Sequence, residues 1–500
     1  MENGKEYYLK ISKQIGVSYI FNILIFLFQP LLVALLTRTL TVKEYGIYSL
    51  LVAGIGTLSF TLVLGLNVFI PTKFPGIEYK KKVTALFSII FFETIILLLT
   101  IMVLSLQSVQ MWILHLLKIE EYMFEFKISL VIFFIMTLII ILSSYLAAER
   151  KIEFQSLSSF LEKCLWIILL GVCFLITEQF NLATVLVLWL IGITVSFIVI
   201  LLYFKKEVIL FFTKIKRINK GVCKNALIFG LPLVPVAICG WLIEVSNRYL
   251  LNYFKDAAFV GIFSLSYGLV VIILSLSGII YGVLYPYIAK AWNDNSNHQM
   301  LSNALLKYTL IVVIPAMTGL FVLRKQIITL ISGSEYLAGS PTLAILIVFP
   351  LFASLVNIYG NDLLLRGKTT LMAIIYFGGA IVNIILNLFF IPAYGANGAA
   401  ITTVTTYVLM FLSLYLISKE RFTWNFQFLR ITRIILATAV MGLILFLINP
   451  QMFITKIITI ILGALIYIIL LFLLGVFIKE EYDIMKSFLP KWVSHLLMKR

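Results

Sequence analysis

The chain has 500 residues, of which 62% are hydrophobic and only 12% charged, with a mean hydropathy of +1.08. Soluble domains run at roughly 45–50% apolar and about 25% charged, so a soluble globular protein is excluded and a polytopic helical membrane protein is indicated. The formal net charge of +17 does not point to nucleic acid, because the Lys and Arg residues sit in short connections between apolar runs.

A spanning helix needs about 20 apolar residues, since a hydrocarbon core of roughly 30 Å is crossed at about 1.5 Å per residue. Fourteen runs qualify: 14–36, 46–70, 83–105, 128–147, 157–177, 182–204, 226–250, 258–285, 304–323, 341–365, 369–391, 397–417, 431–449 and 455–478. An even count puts both termini on one side. The Lys/Arg-rich connections place that side in the cytoplasm. The first run is expected to remain as a span, because no small-residue cleavage pattern follows it. Arg38 closes it on the outer side, and Lys73 stands at the inner mouth of the second run.

The third run carries Glu93 in FFETII. A carboxylate at that depth is expected to hold a proton or find a cation, which makes Glu93 a candidate coupling residue; the bland alternative is a protonated packing group. Lys163, beside Glu162, is expected near the first turn of the fifth run, as a cavity cation or a snorkelling one. The connection at 205–225 interleaves Phe211, Phe212, Ile215 and Ile218 with lysines. It reads as an amphipathic helix on the anionic cytoplasmic leaflet and as the boundary between halves.

The seventh run opens with Pro232 and Pro235, which should bend it. It then carries Glu244 and Arg248, four residues apart in the favourable order for an ion pair. Ionisable residues in a span usually face a protein interior or a wet cavity. Arg248 is therefore read as a cavity cation tuned by Glu244, against the alternative of an arginine snorkelling to the headgroups. Asp362 and Arg366 form a second i,i+4 pair at the inner end of the tenth run, as a structural or gating contact. Asn67, Asn247, Asn357, Asn361, Asn383 and Asn387 are candidates to hydrogen-bond sugars or neighbouring helices, and interhelical bonding is the expected use of each. The four cysteines read as small buried apolar residues. His115, His298 and His495 are scattered, and no metal or nucleotide motif is present. A membrane polymerase or glycosyltransferase would need catalytic groups on a sizeable outer loop, so enzyme activity is not expected.

The halves repeat. Gly46-Ile47-Tyr48-Ser49 matches Gly261-Ile262-Phe263-Ser264 at an offset of 215, as does Pro71 with Pro286. Lys151 aligns with Lys368 at 217 and Asn181 with Asn397 at 216. Arg38 is taken as the counterpart of Arg248, although their spacings to the shared Gly differ by five residues. Six spans per half keep one orientation, which is the pattern of a parallel repeat binding substrate between its halves. The expected fold is an all-α polytopic membrane protein of about 14 transmembrane helices. Two pseudo-twofold-related six-helix lobes (1–210 and 226–430) are joined by an amphipathic linker (211–225). Two extra helices (431–478) and a cytoplasmic tail (479–500) follow.

The segment NIILNLFFIPAYGANGAAITT, Asn383 to Thr403, is similar to the N-x-x-x-N-x-x-x-I-P-x-Y-G-x-x-G-A-A motif of polysaccharide flippases, of the O-antigen and capsule type, in the multidrug/oligosaccharidyl-lipid/polysaccharide exporter superfamily. LLTRTLTVKEYGIYSLL, GLNVFIPTK and SNRYLL resemble further elements of that family, with Lys73 where Arg is common and Asn247 in place of Asp. In residue terms, Pro392 should end the eleventh span, with Gly395 and Gly398 suiting a tight corner. The resemblance implies a transporter of undecaprenyl-pyrophosphate-linked oligosaccharide working by alternating access in the cytoplasmic membrane. It implies no cofactor, coupling to Na+ or H+ where transport is driven, and partners among membrane lipids, polysaccharide polymerase and chain-length machinery. A multidrug exporter and a peptidoglycan lipid-precursor flippase are the alternatives within the superfamily. Pyrophosphate needs cations, and Arg248, Arg38, Lys73 and Lys163 are the candidates. Glu93, Glu244, Asp362 and Arg366 are the candidates for coupling or gating.

Overall fold

The structure is a computed structural model that describes residues 4–177, 180–214, 219–294, 298–418 and 428–477. The predicted tail at 479–500 lies outside the described residues, as do 215–218 of the linker and His495. Among the described residues there is no strand; regular structure is helical throughout. In chain order the helices are α1 (Gly4–Thr39), α2 (Val42–Leu62), α3 (Leu66–Lys73), α4 (Tyr79–Ser105), α5 (Gln107–Leu116), α6 (Met123–Ala148) and α7 (Ile152–Ile176). Next come α8 (Leu182–Tyr203), α9 (Lys205–Lys214), α10 (Lys220–Gly230), α11 (Val234–Phe254), α12 (Ala257–Asn293) and α13 (His298–Val322). The last are α14 (Arg324–Ile331), α15 (Ser340–Leu346), α16 (Phe349–Leu365), α17 (Thr369–Tyr394), α18 (Ala396–Ser418), α19 (Phe428–Ile448) and α20 (Phe453–Leu473). Among the described residues, thirteen helical segments are long and apolar enough to cross a membrane on composition alone. α11 is not one of these, although its 21 residues reach about 31 Å at 1.5 Å each; it carries Glu244 and Arg248.

Several predicted boundaries shift, each for a local reason. The second run does not continue unbroken to residue 70. Leu64 and Gly65 take positive φ (51° and 74°) between α2 and α3. A Cβ on Gly230 would stand 1.9 Å from the Leu64 carbonyl oxygen, so backbone meets backbone at this break. The seventh run is likewise two helices, α10 and α11, hinged through a 3-10 turn at Leu231–Leu233 beside Pro232 and Pro235. Pro392 does not end α17, which runs on to Tyr394. A proline removes one N–H, and here the helix stops at Gly395, with φ of 55°. Gly398 does make the predicted close corner: its Cβ would lie 2.2 Å from the Phe390 carbonyl oxygen. Finally, α7 begins at Ile152 rather than near 157, which places Lys163 close to mid-helix.

Two compact units can be distinguished. The first comprises Met1–Ile272, Ile331–Leu346 and Thr369–Met410; the second comprises Ile273–Leu330, Ile347–Lys368 and Phe411–Arg500. In the first, α1 packs along α7 and α11 along α17, the same pairing in each half of the repeat. One part of its core brings Val63, Phe69 and Ile70 against Leu86 and Ile89 of α4 and Ile141 and Tyr145 of α6. In the second, Ile434, Met441 and Leu445 of α19 pack on Ile311 of α13 and on Tyr467 and Leu471 of α20.

The first unit contains a close helix crossing that relates the two halves of the repeat. A Cβ on Gly46 would lie 1.7 Å from the Ala257 carbonyl oxygen, and one on Gly261 2.2 Å from the Val42 carbonyl oxygen. Both pairs obey one offset, since 261 − 46 and 257 − 42 are each 215. Residue i therefore touches the counterpart of j while j touches the counterpart of i, which is an isologous contact. One turn on, Ser49 and Ser264 share a hydrogen bond of 2.6 Å, again 215 residues apart. Small residues allow this approach, and such packing drives helix association in lipid.

Replacing Gly46 or Gly261 with Ala is expected to cost about 1–3 kcal/mol, because backbone atoms must move to admit a methyl group. The thermal midpoint of the detergent-solubilised protein should fall for both. It should hold for Gly240→Ala, where nothing lies within 4 Å of the new Cβ. Equal midpoints for all three would contradict the crossing.

Candidate functional site

Three polar groupings in the first unit surround or adjoin the crossing. The first centres on α11. Arg248 is half-buried; its Nε donates to Ser264 Oγ at 3.3 Å and its Nη1 to the Glu244 backbone carbonyl at 3.4 Å. The ring of Tyr267 lies 5.4 Å from the guanidinium carbon, and the same residue's hydroxyl is hydrogen-bonded to the Glu244 carboxylate. The predicted ion pair is thus reshaped: Arg248 takes the Glu244 carbonyl, and Tyr267 links the two charges. A guanidinium beside one serine hydroxyl and the Tyr267 ring offers a charged donor next to a neutral one, which suits an anionic, hydroxyl-bearing ligand.

The second grouping lies on α2, α7 and α8. Trp189 Nε1 donates to Glu162 Oε1 at 3.2 Å. Trp166 stacks on Trp189 with centroids 5.2 Å apart, Tyr48 lies against Trp166 and Tyr45 against Tyr48. The third is a neutral amide network on α11, α17 and α18. Asn247 Nδ2 donates to Thr403 Oγ1 at 2.8 Å, and Asn387 Nδ2 donates to Asn247 Oδ1 at 2.7 Å and Asn383 Oδ1 at 2.9 Å. Ser246 donates to Asn383 Oδ1, Asn383 Nδ2 to Thr406, and Thr402 to Asn387 Oδ1. All three asparagines are fully buried. Interhelical bonding is therefore the use the structure gives them, as the sequence suggested. An Asp at 247 would lose the donor that Thr403 accepts and would add a buried charge.

Arg38 is exposed at the end of α1, where its Nε donates to the Ile331 carbonyl at 3.0 Å. The constant offset maps it to Tyr253 (38 + 215 = 253), not to Arg248. Ser49 and Ser264 are the repeat-related pair that does face across the crossing. Lys73 is exposed at the far end of α3, with Nζ 5.7 Å from the Phe229 ring centroid. Lys163 is half-buried at mid-helix in α7, so it is not the near-terminal cation expected. Glu93 is fully buried in the middle of α4, and neither carboxyl oxygen has a hydrogen-bond partner. In the second unit, Asp362 is clamped by Arg366, whose Nε donates to Oδ1 at 2.9 Å, and by Ser418, whose hydroxyl donates to Oδ2 at 3.0 Å. This ties α16 to the end of α18. Among the described residues no group of three or more His, Cys, Asp or Glu could hold a metal ion.

Sequence reading missed the tyrosines. Tyr45 and Tyr48, three apart on α2, were the available signal, since that spacing puts both on one helical face.

The fold is that of the MurJ and multidrug-exporter class of membrane transporters. The solved structure of the lipid II flippase MurJ in an inward closed conformation superposes with a TM-score of 0.74 at 19% identity, over 92% of this chain and 98% of that one. An inward-facing multidrug resistance MATE transporter superposes with a TM-score of 0.63 at 15% identity, over 79% of this chain and 94% of that one. Residues 11–292 match the polysaccharide biosynthesis protein family, and the chain belongs to that family. It is 28% identical over 207 residues to the teichuronic acid biosynthesis protein TuaB of Bacillus subtilis, or 40% of this chain and 42% of that protein. It is 23% identical over 174 residues to the probable low-salt glycan biosynthesis flippase Agl15 of Haloferax volcanii, or 34% of this chain and 37% of that protein. With the lipopolysaccharide biosynthesis protein WzxC of Escherichia coli it shares 26% identity over 171 residues, 34% of this chain and 33% of that protein. The matches thus span well under half the length of these relatives.

Asn387→Leu is expected to destabilise the protein by about 1–3 kcal/mol, because the buried Asn247 Oδ1 loses its donor and Asn383 Oδ1 and Thr402 Oγ1 each lose one of two partners. A lowered thermal midpoint would show this. An unchanged midpoint would mean the network does not hold α11, α17 and α18 together.

Proposed function

We propose that this protein carries undecaprenyl-pyrophosphate-linked oligosaccharide repeat units across the cytoplasmic membrane by alternating access, for polysaccharide assembly. The observation that supports it most is the half-buried Arg248, set over the Tyr267 ring and bonded to Ser264 of the Gly46–Gly261 crossing, in a chain of this family. The lipid tail can stay in the bilayer while the pyrophosphate and sugars cross, so the protein need supply only a path of cations and hydroxyls in place of lost water. In this reading both termini are cytoplasmic and the α1–α2 turn faces outward, which puts the crossing and Arg248 toward the release side. Arg38 and Lys73 then mark the outer and inner ends of the path, and Lys163 lies between them. Two six-helix lobes, 1–210 and 226–430, move about the linker, with Asp362 and Arg366 as a gate contact. Glu93, a carboxyl without a partner at mid-membrane, is the coupling group for H+ or Na+. Polymerase and chain-length proteins are the partners this role calls for.

Arg248→Ala should lower glycan export roughly tenfold to a hundredfold, the equivalent of about 1.5–3 kcal/mol for a hydrogen bond to a charged group, with the protein still inserted and folded. Normal export by that variant would remove Arg248 from the path. Glu93→Gln should leave the fold intact and abolish the response of transport to a proton or sodium gradient. Retention of that response would take Glu93 out of coupling.

A further inference from the structure

A cavity of about 130 Å³ lies within the second unit, between α12, α13 and α16. Its polar wall is Ser277, Tyr281, Thr309, Ser354 and Asn357. Ser277, Thr309 and Ser354 are buried, while Asn357 is exposed halfway along α16. An amide at that depth is costly against hydrocarbon, so Asn357 marks the mouth of a polar space.

The wall is organised. Ser277 and Ser354 hydrogen-bond at 2.7 Å, and Tyr281 donates to Asn361 Oδ1 at 2.6 Å. The Asn361 amide nitrogen behind that bond is buried without a partner. Tyr281 also stacks on Tyr285, with centroids 5.2 Å apart and planes 8° from parallel, which stiffens an aromatic side. Among the described residues, no charged one lines the cavity. A bare ion would therefore lose its hydration without a counter-charge. The space exceeds the roughly 10–15 Å³ that one water needs, so it suits a neutral ligand with several hydroxyls.

The cavity is also peculiar to one half of the repeat. At the repeat offsets of 216 and 217, Thr309, Ser354 and Asn357 correspond to Glu93, Thr137 and Ile140 (309 − 93 = 216; 354 − 137 and 357 − 140 = 217). There the mouth residue is an isoleucine and the carboxyl is sealed in. The polar opening is thus a property of these side chains and not of the fold.

We infer that this cavity binds one neutral sugar ring of the transported headgroup, with the Ser, Thr and Asn groups replacing water and the Tyr281 ring meeting its C–H face. The inference rests on the transport reading above and adds to it a second contact, separate from the Arg248 cluster. It is tested on the full chain in nanodiscs by saturation-transfer NMR, with methyl glucoside, methyl galactoside and N-acetylglucosamine as free probes, beside a flipping assay on the same samples. At least one sugar should saturate through its ring protons. Asn357→Leu, at the exposed mouth, and Ser354→Leu, in the wall, should each weaken binding at least tenfold, and Gly240→Ala, where nothing lies within 4 Å of the new Cβ, should not. Flipping without any sugar signal would overturn the sugar site and leave the transport reading standing. Sugar binding untouched by both Leu variants would overturn it as well, as would a response to sodium and to no sugar. Sugar binding lost in both variants without any flipping would keep the cavity as a polyol site and withdraw the transport reading.

Discussion

The crossing of α2 and α12 at Gly46 and Gly261 is the constraint on which the rest depends. Two backbones touch there with no room for a methyl group on either side. In lipid, helices gain nothing from hiding apolar surface from each other, so close packing of small residues carries the association. The same contact is self-complementary under the 215-residue repeat, and the Ser49–Ser264 hydrogen bond extends it. Arg248 bonds to that same Ser264 hydroxyl. Any separation of α2 from α12 must therefore alter the surroundings of the membrane-embedded arginine. Packing and charge are thereby one coupled feature.

Polar groups in the spans divide by whether their hydrogen bonds are complete. The Asn247–Asn383–Asn387 network is neutral, fully buried and closed, and such networks rigidify. Glu93 is the opposite case, with both oxygens buried and unbonded. An unbonded buried carboxyl costs free energy that a closed network does not. Asp362 has both carboxylate oxygens bonded, to Arg366 and Ser418.

Much of the architecture was legible because a hydrocarbon slab imposes a length on every apolar run, and because the repeat left matched glycines, serines and prolines. The Pro232–Pro235 hinge and the Gly398 corner could be read from residue type alone. What failed was local. The α2–α3 break depends on Gly230, which lies far away in sequence. The start of α7 moved Lys163 by one to two turns. α17 outran Pro392 because only one hydrogen bond was at stake. The site was less legible than the fold. Arg248 and Glu244 stood out as charges in an apolar run, yet Tyr267, which joins them, looks like any aromatic core residue. The Ser277–Ser354 cavity is made of residues that seem trivial one by one and become a site only when three helices bring them together.

The central claim is that the chain moves a lipid-linked glycan across a bilayer. The direct measurement is the loss of lectin access to a defined undecaprenyl-pyrophosphate-linked oligosaccharide on one face of proteoliposomes, with its gain on the other, against protein-free vesicles and vesicles offered a fluorescent drug cation. The account predicts protein-dependent movement of the glycan lipid and none of the drug. Equal lectin access with and without protein, or movement of the drug alone, would contradict it.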